Sequence, residues 1–581
     1  MARLIIDQFM FPYQNSFRGG LQLLVEYVLK NLGARTAAKV FVVGARAPDA
    51  EARHDVCIEP EDGEWSREPF DGLLPKIEET VRRHPMQNMF YGDEPSMRDK
   101  PENIRRSSVT EAVRTALASS DKAKAVRSFC GFSVRVDAYY VVPVIQLRET
   151  LFQQFPPLDL PRSDDPRVPK CVPSFLHAAI SRVLGDATTE LQRPEPGRGM
   201  FFPMTERAQE LVRLAASDFM RTPAYATAER FVPSDLFDRF NLISSLMYEG
   251  AHGVGQLVLT APDAADIEFM VRFKKPVPFH EPRWARKILE MASADVAVVS
   301  DSEWIYGLGR HKQTDGEGKH VFTVDFLDHF SWRLRCDAQV MLVARYGVAT
   351  LPQEPISRER FIENLGRLFR TAPPAALENL WAVFCSAVSA KQGSMIIVAA
   401  DAQREAQRLA AQGTAVEPTP LTPEVFRRVS GIDGAVMVDP EGMCHAVGVI
   451  LDGMAAEECT PSRGSRFNSG VRYVSGSAHQ RLAIVVSDDR TVDMFPLLRD
   501  RLSRREIEMN VAALEGATSS NFHRPRKWLD EHRFYLSQQQ CVRANEALDR
   551  IESEPKEVGQ ILLQTERFRV DQDMSDDYFL D

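Results

Sequence analysis

The sequence predicts an α/β protein of several domains, with mixed α+β sheets flanked by helices. Three observations lead there. A chain of 581 residues is longer than one hydrophobic core supports. Short apolar runs of strand length alternate with segments of helical period. Two stretches of the chain also run through the same order of elements at a fixed separation.

In the first part, residues 1–155, "GGLQLLVEYVLKNLG" (19–33) reads as a helix closed by Gly33 and "KVFVVGA" (39–45) as a strand. "FSVRVDAYYVVPVIQL" (132–147) gives one or two more strands. This part forms an α/β domain for which a sensory role is the expectation. Residues 156–234 read as linker and helical segment, with Pro-rich stretches at 155–173 and 191–203.

The third part, 235–350, is a further α/β unit. "FDRFNLISSLMYEG" (237–250) is a helix, "GQLVLTA" (255–261) a buried strand, "PRWARKILEMA" (282–292) a helix opened by Pro, and "DVAVVSD" (295–301) a strand. "HVFTVDFL", "WRLRC" and "QVMLVARYGV" add strands. The fourth part, 351–500, repeats the order. "ALENLWAVFCSAV" (376–388) is an amphipathic helix and "GSMIIVAA" (393–400) a buried strand. "TPEVFRRVS" (422–430) is a helix with Thr422 as N-cap. "GIDGAVMVDPEGMCHAVGVIL" (431–451) is a hairpin turning at "DPEG", and "RLAIVVSDD" (481–489) a last strand. Residues 501–581 form a helical extension ending in the acidic "DQDMSDDYFLD", expected to be disordered.

The separation between the two repeats is 138 residues: 433 − 295, 379 − 241 and 439 − 301 all give it, with Asp, Asn and Asp conserved between the copies. Over 241–303 against 379–441, 12 of 63 positions are identical without gaps, where about four follow from average composition. An internal duplication is the reading, against two unrelated units with similar strand and turn vocabulary.

Composition narrows the function. Apolar content of 44% and charged content of 26% are those of a water-soluble globular protein, and no stretch approaches a membrane span. A net charge of −10 argues against a general nucleic-acid surface. The eight Cys are scattered without zinc spacing, which with the absence of a signal-peptide pattern points to a reducing, cytoplasmic setting.

Two stretches carry chemistry. Asp433-Gly434-Ala435 sets a carboxylate beside a residue without a side chain, able to hold a divalent cation near a closely approaching ligand. The plain alternative is a loop Asp at a strand entry. "SRGSRFNSGVRYV" (462–474) gathers two Gly, three Ser, Asn468 and Arg463, Arg466 and Arg472, the makings of an oxyanion cradle. The alternative is a polar loop entering a helix or strand. Upstream, "HEPRWARK" (280–287) could grip an anion, or could be an amphipathic helix start with Trp284 in the core.

"GSMIIVAA", "DGAVMVDPEGMCHAVGVIL", "SRGSRFNSG" and "LAIVVSDD", in this order, resemble the diadenylate cyclase (DAC) domain of bacterial cyclic di-AMP synthases, over about 375–495. The resemblance implies two such domains face to face, within a homo-oligomer or as an intrachain pseudo-dimer, each holding one ATP or related NTP. Each 3′-OH attacks the α-phosphate of the other nucleotide with Mg²⁺ or Mn²⁺ assisting. It implies Asp433 as metal-holding catalytic residue and Arg466 as catalytic phosphate contact. Gly434, Ala435, Arg463, Gly464, Ser465, Asn468, Ser487 and Asp488 would bind nucleotide. Phe467 and Asn468 stand where the family has His and a second Arg, so a nucleotide-binding domain without catalysis is the alternative. The upstream unit has Asp295-Val296-Ala297 and no matching cradle, which makes it a degenerate DAC-like copy in this reading.

Overall fold

The computed structural model describes residues 7–581 apart from 35, 62–64, 161–170, 200–202, 228–234, 262–263, 265–266, 294, 312–320, 353–355, 391, 455, 457, 460–463, 488–491, 519–520 and 554–565. The chain divides into two compact units. One comprises 1–353 with 517–527 and 549–565, the other 354–516 with 528–548 and 566–581.

The first unit opens with α1 (Gln14–Leu32), ended by Gly33 in the left-handed region at φ 78°. The first sheet contains β1 (Lys39–Arg46), β2 (Val56–Glu59), β3 (Val126–Cys130), β4 (Val134–Val136) and β5 (Tyr139–Arg148). Its order is β2-β1-β5-β3, with β4 also on β5, and every pair is antiparallel. Strand alternation sends Val40, Val42, Val141 and Ile145 to one face. There they pack on α1, α5 (Phe175–Leu191) and α6 (Met204–Thr227). Phe41, Val43, Val142 and Val144 go to the other face, against Leu73 and Ile77 of α2 (Leu73–Arg83) and Val109 and Val113 of α3 (Glu94–Lys124), and the short α4 (Glu149–Gln154) follows β5. Helices on both faces explain why β5 is buried along nearly its whole length.

The same unit holds an eight-stranded sheet: β6 (Gly255–Leu259), β7 (Ile267–Pro278), β8 (Ala297–Ser300), β9 (Trp304–His311), β10 (Phe322–Asp328), β11 (Ser331–Cys336), β12 (Gln339–Arg345) and β13 (Val348–Thr350). Helices α7 (Leu236–Ser245) and α8 (Pro282–Leu289) accompany it. The order is β13-β12-β11-β10-β6-β8-β9-β7. Only β6 and β8 run parallel.

In the second unit, α9 (Arg358–Leu368) and α10 (Pro374–Ser389) precede β14 (Ser394–Ala399). Then follow α11 (Ala402–Arg408), β15 (Thr414–Pro420), α12 (Pro423–Val429), β16 (Ala435–Val438), β17 (Met443–Val449), α13 (Ser465–Ser475), β18 (Arg481–Val486) and β19 (Val492–Phe495). The order is β15-β17-β16-β14-β18-β19, parallel only between β14 and β16. Ile396, Val398, Val436 and Ile484 face Leu380, Val383 and Phe384 of α10 and Phe426 of α12. Met395, Ile397, Met437 and Val485 face Ala402 and Ala406 of α11 and Tyr473 of α13. Thr422 caps α12, accepting from the Val425 N–H at 3.2 Å.

Six strands of the second sheet and all six of the third share one order and one set of directions. β7-β9-β8-β6-β10-β11 matches β15-β17-β16-β14-β18-β19. β8 and β16 are offset by 138 residues (435 − 297), whereas β6 and β14 begin 139 apart (394 − 255). The ungapped sequence comparison is therefore one residue out of step at the first strand. The turns also correspond. Asp301 Oδ1 accepts the Glu303 and Trp304 N–H groups, and Asp439 Oδ1 accepts the Met443 N–H at 2.8 Å.

The acidic C-terminus departs from the disorder expected of it. Phe579 bridges Leu502, Asp576 pairs with Arg504, Asp577 with Arg370, and Asp581 accepts from Ser503 and the Arg504 N–H. Composition shows only the tail's charge; the arginines that neutralise it lie about 70 or 200 residues earlier. Among the described residues no helix is long and apolar enough to cross a membrane.

Candidate functional site

One edge of the third sheet collects Asp433, Gly434, Arg466 and Ser487, while Arg472 stands in the last turn of α13. β14 and β16 begin at this edge, whereas β17 and β18, antiparallel to them, end there. Asp433 and Gly434 enter β16, and Ser487 follows the last residue of β18, whose Val486 pairs with Ser394. The chain leaves β17 at this edge and returns in α13, whose first turn is Ser465, Arg466 and Phe467. The Arg466 guanidinium comes to 3.6 Å from Asp433 Oδ1. Asp433 is 94% exposed and Arg466 about one-third exposed, so the carboxylate projects to solvent with a cation beside it. The N-terminus of α13 turns its N–H groups to the same edge, where partial positive charge favours an anion.

The glycines at this edge do different things. Gly434 has φ 112°, and a Cβ there would lie 2.5 Å from the Gly448 carbonyl carbon of the neighbouring strand. Glycine is thus required by the close approach of β17, a local reason that the sequence does not display. At Gly464, the residue before α13, a Cβ would meet nothing within 4 Å. Gly470 brings α13 down on β18: a Cβ there would be 3.0 Å from that of Ala483. Ala435 is fully buried in the core of its sheet, so its side chain faces packed neighbours. Ser465 is exposed, Asn468 and Ser487 half-buried. Asn468 donates its N–H to the Gly464 carbonyl at 3.3 Å within the first turn. Arg463 and Asp488 lie outside the described residues.

An ionic cluster supports α13 from below. Arg481 on β18 donates to Asp401 at 2.8 Å and reaches Glu405 at 3.1 Å. Arg408 joins Glu405 and Asp452, at 2.8 and 2.6 Å, and the Tyr473 hydroxyl donates to Glu405 at 2.9 Å. The Arg481 guanidinium also lies 4.3 Å from the centre of the Tyr473 ring. Burial pushes Asp401 and Glu405 up, but their arginine partners outweigh it and hold both below the usual carboxylate range. Burial pushes the Tyr473 phenol far above its ordinary value, so it stays a donor. This cluster ties α11, α13 and β18 together through Tyr473, on the helix whose first turn carries Arg466. Its sequence trace was the 401, 405, 408 spacing of "DAQREAQR", which places three charges on one helical face. Ser394, at the same sheet edge, is buried with no hydrogen-bond partner for its Oγ.

Among the described residues no group of three or more His, Cys, Asp or Glu is placed to hold a metal. Asp433 is one carboxylate already facing a guanidinium. Such a donor fits Mg²⁺ or Mn²⁺ only when nucleotide phosphates supply further oxygens, the common way of binding Mg²⁺.

Comparison with known proteins adds to the first unit. Residues 10–220 match a family model described as "Probable sensor domain DACNG", and residues 234–338 one described as "Probable sensor domain DACNH". Both matches are to sensor domains. No curated protein matches the chain. Among solved structures, a hypothetical membrane spanning protein from Bacillus cereus is 20% identical over 20% of this chain and 57% of its own, with a TM-score of 0.17. DacA from Staphylococcus aureus, as a double mutant, is 16% identical over 24% of this chain and 94% of its own, with a TM-score of 0.19. The chain thus spans less than two thirds of the first of these, and scores this low carry no argument.

Proposed function

We propose that the module at 375–495 is a nucleotidyltransferase of the diadenylate cyclase type. It would condense two ATP, or related NTP, into a cyclic dinucleotide such as cyclic di-AMP, under control of the units at 10–220 and 234–338. The observation that carries this reading is the meeting of Asp433 and Arg466 across 33 residues of sequence (466 − 433) at one open sheet edge. The matched models support it, being sensor domains associated with diadenylate cyclases.

In this reading Arg466 and the N–H groups of α13 neutralise the phosphates, since phosphoryl transfer depends on positioning and charge more than on covalent help. Asp433 orients the 3′-OH and accepts its hydrogen bond. The new 3′-O–P bond forms as the bond from the α-phosphorus to the pyrophosphate breaks, and the hydroxyl proton passes through the exposed Asp433 carboxylate to solvent. Mg²⁺ or Mn²⁺, held by Asp433 with the phosphates, would lower the pKa of the hydroxyl. One module supplies one nucleotide and the 235–350 unit has no matching cradle, so a module from a second chain must face it in a homo-oligomer. The shared strand order supports reading that unit as a duplicated, degenerate relative of the module.

A second reading rests on Phe467 and Asn468. An aromatic ring and a neutral amide replace two cationic or titratable groups of the family's motif, which favours a nucleotide-binding sensor or scaffold without turnover. Incubation of the full chain with ATP or GTP and Mg²⁺ or Mn²⁺, with mass spectrometry of products, separates the two. A cyclic dinucleotide that disappears in Asp433→Asn supports synthesis. Nucleotide binding with no product under either metal leaves the sensor reading.

A further inference from the structure

The unit at 234–338 contains a cavity of about 450 Å³ lined by Leu246, Met247, Tyr248, Arg283, Trp284, Arg286 and Lys287. Its size lies within the range of small-molecule sites. Four of its lining residues come from α8, the helix of the "HEPRWARK" stretch.

Arg286 is the unusual member. Its side chain is 2% exposed, yet its partners use only part of the guanidinium. Nε donates to the Leu246 carbonyl at 2.9 Å, and Nη2 to the Ala251 carbonyl at 2.8 Å and to Glu290 at 2.6 Å. Nη1 is buried with no hydrogen-bond partner. A buried, charged donor without an acceptor is rare, because its desolvation goes uncompensated. The loop opposite is held close: a Cβ on Gly253 would lie 3.0 Å from Arg286 Nε.

Leu246, Met247, Tyr248 and Trp284 make an apolar part of the wall that is unusually open. Trp284 is 54% exposed and Met247 56% exposed, where side chains of this size usually find cover. The Lys287 ammonium sits 5.2 Å from the centre of the Trp284 ring. Arg283 and Lys287 leave positive charge at the mouth. Of the neighbouring acids, Glu290 is engaged by Arg286 and Glu249 lies beside Tyr248.

We propose that this cavity binds a mononucleotide-sized aromatic anion. The ring stacks on Trp284 against Met247, and the phosphate takes Arg283, Lys287 and the spare N–H groups of Arg286. The ligand gives the second sensor-type unit a defined input. The proposal stands on this unit alone and does not need the 375–495 module to be catalytic.

The test uses the full chain and AMP, GMP, CMP and UMP as probes, followed by calorimetry and hydrogen exchange. At least one should bind and slow exchange in 246–251 and 282–290. Trp284→Ala should weaken it at least tenfold and Lys287→Ala severalfold, with unchanged circular dichroism. Adenosine and inorganic phosphate, each carrying half the chemistry, should bind far more weakly. Absence of binding by all four probes overturns the proposal. So does binding that survives Trp284→Ala, or that is lost in Arg466→Ala instead, which would place the ligand at the other site.

Discussion

Gly434→Ala tests whether the glycine of Asp-Gly-Ala serves the fold or a ligand. At φ 112° an L-residue sits in a region used almost only by Gly, at a cost of about 1–3 kcal/mol. The added Cβ would also press to 2.5 Å from the Gly448 carbonyl carbon. That atom is backbone, paired into β17, so relief requires moving one strand from another. Overpacking of this kind costs roughly 1–3 kcal/mol. Together the two give about 2–6 kcal/mol. Because a chain of several units has no single unfolding free energy, the readout is amide exchange in β14, β16 and β17. Opening should become roughly 30-fold to 20,000-fold more frequent, at about 1.4 kcal/mol per decade. Gly464→Ala is the control: its Cβ meets nothing, and loss of an N-cap glycine should cost about 1 kcal/mol or less, confined to the first turn of α13. Unchanged protection in Gly434→Ala would refute the close-approach argument.

Glu405→Ala leaves Arg481 with Asp401 and Arg408 with Asp452 but removes the acceptor of the Tyr473 hydroxyl, and should destabilise the second unit by about 1–3 kcal/mol, read by thermal unfolding with exchange in α13. Asp401 and Glu405 are held below their unfolded values, so the unfolded chain binds more protons as pH falls. Their stabilisation should be complete above about pH 5 and fall away below about pH 4, with a shallower slope in Glu405→Gln. Asp439→Ala removes the acceptor of the Met443 N–H and the partner of His445 at 2.7 Å; a loss of about 1–2 kcal/mol and faster exchange confined to the β16–β17 turn are expected. Burial pushes the Cys336 thiol up to about 12 and that of Cys444 up to about 11, so exposed Cys385 should alkylate well before either, as peptide mapping would show.

Local pattern was enough for the strands that bury both faces and for the turn. "SMIIVA", "AVMV" and "LAIVV" are apolar runs too continuous for a half-exposed strand, and the Asp that caps the "DPEG" turn acts within five residues of itself. The shared order of elements in the two stretches was also legible, because each element carries its own hydrophobic period. Three things were decided only in three dimensions. The glycine at 434 answers to Gly448, which is next to it only because β16 and β17 pair. The acidic tail is ordered by arginines far along the chain. Arg466 meets Asp433 only where α13 packs on the sheet, held by Tyr473 and Arg481 on Glu405, which lies about 70 residues away in sequence. Periodicity reports which face of an element is buried; it does not report which distant group shares that burial. Pairings of buried charge and close backbone contacts are set by the assembled sheet, and so they became visible only there.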